Sequence, residues 1–144
     1  MDTSALAKLV ADLLIAIQAM SGYPAPDEHP AVRLVPHAWL ERQACDRPCK
    51  VYRWFPPGKV VCLDDRMDPL HDVAARSILL HGLVHFLQQE NGAFRDSGRC
   101  RVWNERENEA YLIQYRWLAR QSAPADTYWR LSHRPSSGAC RDER

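Results

Sequence analysis

His81 and His85 lie four residues apart in the stretch Leu79-Leu80-His81-Gly82-Leu83-Val84-His85-Phe86-Leu87-Gln88. On a helix such a pair stands one turn apart on one face, with about 5–6 Å between Cβ atoms, so both imidazoles can reach one metal ion. The spacing alone is weak evidence, because core histidines bonded to backbone are common. Its surroundings add weight. His81, His85 and Gln88 form a polar stripe along a segment that is otherwise apolar nearly all round, and burying two imidazoles without partners would be costly. A third ligand then has to come from another element, and Glu107 is the best placed. On a wheel of 100° per residue it falls between Ala110 and Leu118, inside an apolar face, whereas Glu105 and Glu109 fall outside it. A carboxylate on a core face calls for a cation. The bland alternative is an ion pair between Glu107 and an arginine such as Arg76.

The elements that must carry these residues are two helices. Asp68-Pro69 is a helix start, with a capping carboxylate and a proline at the first position, and the central helix is expected to run over about residues 69–90, up to Asn91-Gly92. A second helix is expected over about residues 104–121, with Ala110, Ile113, Trp117 and Leu118 on its core face; Phe94 to Arg101 reads as a loop. Before them, Leu6, Leu9, Val10, Leu13, Leu14, Ile17 and Met20 recur at three and four residues, one face of an amphipathic helix that must end near Gly22. The prolines from Pro24 to Pro36 leave room only for short strands. Ala31 to Val35 is one candidate, and Lys50 to Phe55 and Lys59 to Leu63 read as a hairpin around Pro56-Pro57-Gly58. The fold class is therefore α+β, one domain over residues 1–144 with a small antiparallel sheet, and Ser136 to Arg144 as a tail unless Cys140 tethers it.

The chain has 144 residues, 46% of them hydrophobic, enough for one core, and 19 basic against 18 acidic residues give a net charge of +1. That balance offers no field for nucleic acid or an anionic membrane. The apolar N-terminal stretch carries Lys8 and Asp12 and lacks a basic leader region, so it reads as a core helix, neither a signal peptide nor a membrane span. Five cysteines are more than a cytosolic domain of this size tends to carry. Cys45 and Cys49 flank Asp46-Arg47-Pro48, and four of the five can pair, leaving one, with Cys62 in an apolar strand the candidate for a buried free thiol. Disulfides would imply an extracytoplasmic, periplasmic or secreted, protein whose signal peptide is absent from this sequence. His29, His37, His71 and His133 lie in loop-like or surface contexts and are assigned no role.

Taken together, residues 79–88 resemble the active-site helix of gluzincin and minigluzincin metallopeptidases, in which an apolar pair precedes HExxH and a glutamine often follows. Arg106-Glu107-Asn108-Glu109-Ala110-Tyr111 resembles their glutamate helix. The resemblance spans about Lys59 to Gln121. It implies a Zn²⁺ held by His81, His85 and Glu107, a polar residue supporting the site or the substrate oxyanion at Tyr111, and a peptide or protein ligand lying along a strand beside the cleft. The departure is Gly82. In an intact gluzincin the glutamate at this position takes a proton from the attacking water and delivers it to the leaving amine, and glycine can do neither. Losing a general base costs about two to four orders of magnitude in rate. Three accounts stay open: a natural pseudoenzyme, an inactivating substitution, or a different reaction using another base, for which Glu90 and Glu109 are spare carboxylates on other faces. The competing functional readings are a metal-free peptide-binding module and a disulfide-stapled interaction domain.

Overall fold

The computed structural model describes residues 2–44, 53–54, 59–95 and 98–130. Helix α1 (Thr3–Ser21) begins at Asp2, whose carboxylate accepts from the N–H groups of Ser4 and Ala5. It ends at Gly22, which adopts the left-handed conformation (φ 77°) that an L side chain would resist. The apolar stripe read from the sequence is the buried one: Leu6, Val10, Leu13, Leu14 and Ile17 are in the core, with Leu9 and Met20 partly buried against it. By length and composition alone α1 would pass for a membrane-crossing helix, but these side chains face protein.

Strand β1 (Ala31–Val35), helix α2 (His37–Ala44), strand β2 (Arg53–Trp54) and strand β3 (Val60–Asp64) follow. The strand order is β1-β3-β2, and the sheet is mixed. β2 pairs antiparallel with β3, Arg53 opposite Leu63 and Trp54 opposite Cys62, as the hairpin reading requires. β1 pairs parallel with β3, from Ala31 opposite Val60 to Val35 opposite Asp64, so the expected antiparallel sheet is corrected. The reason is β2. It runs antiparallel to β3 and so returns the chain, after α2, to the end of the sheet where β1 begins, as a parallel β1–β3 pair needs and a tight turn cannot provide. β3, bonded on both edges, is buried at Val61, Cys62, Leu63 and Asp64, as expected of a central strand.

The central helix α3 (Val73–Asn91) starts later than Asp68-Pro69 suggested. Asp68 to His71 form a separate turn, with the Asp68 carboxylate bonded to His71 Nδ1 at 2.8 Å. Asp72 is extended (φ −121°, ψ 121°) and caps the helix through Ala74 and Ala75. Arg76 closes this corner by donating to the carbonyls of Pro69 and Leu70, each at 2.8 Å. Along α3 the residues from Ala74 to Gln88 are buried except Arg76 and His85, so the helix is central as expected. Helix α4 (Arg99–Arg120) begins five residues earlier than predicted, with Gly98 as an extended N-cap, so the end of the expected loop is helical. A short α5 (Ala125–Arg130) follows. The core joins α1 to Leu79, Leu80, Leu83, Val84, Phe86 and Leu87 of α3 and to Ala110, Ile113, Trp117 and Leu118 of α4.

Cys100, in the first turn of α4, is disulfide-bonded, and Cys62 is a buried free thiol whose pKa is raised by burial. Cys45, Cys49, Cys140 and the C-terminal tail lie outside the described residues, as does His133. His37 does have a structural place. It opens α2, with Nδ1 2.8 Å from Asp64 Oδ2 and Nε2 2.9 Å from Glu41 Oε1. Asp64 is fully buried, and it also accepts the Arg66 N–H and Nε at Oδ1, both at 2.9 Å, and Arg66 Nη2 at Oδ2 at 2.7 Å.

Burial alone would raise the Asp64 pKa, but the Arg66 and His37 hydrogen bonds outweigh it, and the net shift is downward. A depressed folded value means that the contribution to stability is complete above the unfolded value and lost as pH falls through the folded one. We therefore expect the unfolding free energy, followed by urea titration, to fall as pH drops below about 3.8. Arg66→Ala should lower stability at neutral pH by about 1–3 kcal/mol and flatten that acid limb. An unchanged acid limb in the variant would mean that Asp64 is not held by Arg66.

Candidate metal centre

α3 and α4 pack against each other in opposite directions, since His81 meets Gln114, His85 meets Glu107 and Gln88 meets the Arg106 carbonyl. From α3, which Asp72 caps, His81 and His85 face α4, their ring centroids 4.9 Å apart. Glu107 stands opposite. Its Oε1 is 3.1 Å from His81 Nε2 and in close contact with His85 Nε2. His81 is 1% exposed and His85 and Glu107 are each 13% exposed, so the group lies just under the surface. One ligand atom from each of the three side chains lies within 4.8 Å of the others, and the group could hold a metal ion.

The hydrogen bonds behind the imidazoles decide which nitrogen carries the proton. Ser77 Oγ is 2.8 Å from the Ala74 carbonyl, which can only accept, so the single hydroxyl hydrogen is used there. Gln114 Nε2, 3.1 Å from the same Oγ, must then be the donor. That turns Gln114 Oε1 toward His81 Nδ1 at 2.8 Å, and Nδ1 carries the hydrogen. The second chain has the same logic. Gln88 Nε2 donates to the Arg106 carbonyl at 2.9 Å and to Glu109 Oε1 at 3.0 Å. Gln88 Oε1 therefore faces His85 Nδ1 at 2.8 Å, and that nitrogen also donates. In the neutral rings both Nε2 atoms then present lone pairs toward a carboxylate oxygen. Three electron-pair donors aimed at one spot repel one another unless a proton or a metal ion lies among them, and two imidazoles with a carboxylate are a donor set that could hold a metal ion.

The three expected ligands are brought together. Arg76, the alternative partner for Glu107, is bonded to Pro69 and Leu70 instead. Tyr111 lies edge-on against His81, ring centroids 4.4 Å apart, and stacks on Tyr115, so it walls the site. The side chain that holds His81 Nδ1 is Gln114, which the sequence reading overlooked, together with Ser77 behind it. Gln114 lies seven residues after Glu107, two turns along the same face, and a buried amide on that face was the available signal. Glu109 accepts from Gln88 and from the Tyr23 hydroxyl. Glu90 is exposed. Gly82 is buried within α3 and brings no carboxylate to the site.

The chain matches no known family model, no curated protein and no solved structure at a significant level.

Gln114→Leu tests the arrangement. It keeps the side chain's bulk and removes the acceptor for His81 Nδ1, and loss of such an outer partner typically weakens metal binding about 10–100-fold. We expect a loss of that size in zinc affinity, measured against a chromophoric chelator, with the helical circular dichroism retained. Equal affinity in the folded variant would show that His81 needs no support from α4.

Proposed function

We propose that the protein is a zinc-binding, metallopeptidase-like domain of the gluzincin type in which peptide hydrolysis is crippled at one position. The observation that carries this reading is the pair of hydrogen-bond chains that hold His81 and His85 at Nδ1 and turn both Nε2 atoms toward Glu107, in a group that could hold a metal ion. A histidine pair kept only for packing does not need the same tautomer at both rings; a shared ion does. The helix-borne pair, the glutamate on the following helix and the apolar surroundings are also what the resemblance to gluzincins calls for.

His81, His85 and Glu107 would hold the ion. Zinc bound there would supply Lewis acidity toward a carbonyl and make water more acidic. Ser77 and Gln114 keep His81 in its ligating tautomer, and Gln88 does so for His85. The Tyr111 ring covers one side of His81 and limits the directions from which water can reach it. No side chain at position 82 can accept a proton from attacking water or return it to a leaving amine, and that step is the one the chain lacks. A peptide held in the cleft is the ligand we propose. The disulfide at Cys100 supports an extracytoplasmic location, since such bonds persist in oxidising compartments.

The test is Gly82→Glu in zinc-loaded protein on a mixed peptide library, beside the unmodified chain. A restored base is expected to add about 10²–10⁴-fold in hydrolysis rate, and adding His85→Ala should abolish the gain. Hydrolysis by the unmodified chain at the variant's rate would show that another residue carries the proton. A folded, zinc-loaded variant that cuts nothing would count against the peptidase ancestry of the cleft.

A further inference from the structure

The two ligand-bearing helices are both tied to the chain that leaves α1. After the Gly22 cap, the Tyr23 N–H donates to Ser21 Oγ at 3.1 Å, which fixes the turn. The Tyr23 hydroxyl then donates to Glu109 Oε1 on α4 at 2.7 Å. The next residue's carbonyl, on Pro24, accepts from Asn91 Nδ2 at the end of α3 at 3.1 Å. Asn91 Nδ2 also donates to the Leu87 carbonyl, so its amide is oriented from within α3. Two adjacent residues thus reach two different helices, beside the place where Gln88 bridges them.

Glu109 Oε1 is the junction, because it accepts from Tyr23 and from Gln88. Rotating the Gln88 amide by half a turn would set its oxygen against two acceptors, the Arg106 carbonyl and Glu109. The same rotation would present an N–H group to His85 Nδ1 and force the other imidazole tautomer, whose Nε2 has no lone pair for an ion. Glu109 is therefore part of what keeps His85 ready to ligate. Burial and the hydrogen bond to Glu109 push the Tyr23 phenol well above its ordinary pKa, so it stays a donor wherever the site is used.

We propose that residues 21–24 form a clasp that sets the metal centre: Tyr23 and Glu109 are positioning residues for His85, and metal binding and docking of the clasp strengthen each other. This deepens the metal-binding reading above and rests on it. Reciprocity is thermodynamic. If the docked clasp raises affinity for the ion, the ion must by the same factor favour the docked clasp.

The experiment uses the full chain with zinc as the probe and three readouts: zinc affinity by chelator competition, imidazole ¹⁵N spectra of the metal-free protein, and amide exchange at Tyr23 with and without zinc. The unmodified chain should bind one zinc, show His85 as a single Nδ1–H tautomer, and exchange more slowly at Tyr23 when zinc is present. Glu109→Ala should weaken binding about 10–100-fold and mix the His85 tautomers, while Glu109→Gln, which keeps an oxygen for Gln88 and Tyr23, should restore most of both. Tyr23→Phe removes one oxygen from a half-buried ring and should shift affinity and exchange the same way by less, which keeps the proposal open to test should Glu109→Ala not fold. Unmodified affinity, a single tautomer and zinc-independent exchange in the folded variants would overturn the clasp and leave the metal site standing. A folded unmodified chain that binds no zinc would overturn the metal-binding reading, and the tautomer comparison would still judge the hold of Glu109 on Gln88.

Discussion

Two imidazoles placed between packed helices impose the constraint from which the rest of this structure follows. Each ring nitrogen that leaves water must find a partner: both Nε2 atoms meet the Glu107 carboxylate, and both Nδ1 atoms meet glutamine side chains. An amide can present either end, so it fixes a tautomer only when its own orientation is fixed by others. Ser77 does this for Gln114, and the Arg106 carbonyl with Glu109 does it for Gln88. These polar groups occupy interior space that would otherwise hold aliphatic side chains, and buried amides stabilise a fold only when every hydrogen bond is made. They leave both Nε2 atoms facing Glu107, in a group that could hold a metal ion.

The scaffold meets that demand by keeping α3 in the middle. α1 packs on one side, α4 on another and the sheet on a third, so the helix that carries both histidines has little freedom to tilt or slide. Close packing of this kind holds side chains to tenths of an ångström, the tolerance that a metal centre requires. The sheet contributes less directly. Its central strand ends in the buried Asp64, and the fork from Arg66 with His37 ties the end of β3 to the start of α2.

Much of this was legible in the sequence for a simple reason: periodicity reports burial, and a polar residue on a buried face reports a partner. His81, His85 and Glu107 are legible on these grounds, as are the five buried residues of α1. Gln114 is legible on the same grounds, two turns beyond Glu107 on the same face, whereas the family pattern points to Tyr111, one turn beyond it. Other features were not legible because they depend on contacts far apart in the chain. Asp68-Pro69 and Asp72 are both good helix starts, and the Arg76 contacts with Pro69 and Leu70 fit the later one. The pairing sense of β1 depends on its lying beside β3 and not beside β2, a choice of neighbour that no local signal in residues 31–35 records. The role of His37 depends on Asp64, in another element altogether.

The antiparallel packing of α3 on α4 has a consequence for how the chain reaches this state. His81 and Gln114 are 33 residues apart and His85 and Glu107 only 22, and a short connection from Gly92 to Gly98 joins the two helices. Closing such a segment costs little chain entropy, whereas the Tyr23 to Glu109 contact spans 86 residues and the parallel pairing of β1 with β3 must wait for α2 and β2. His81, His85 and Glu107 thus lie within one local helical hairpin, whereas the contacts of the N-terminal helix and of β1 join parts of the chain much farther apart.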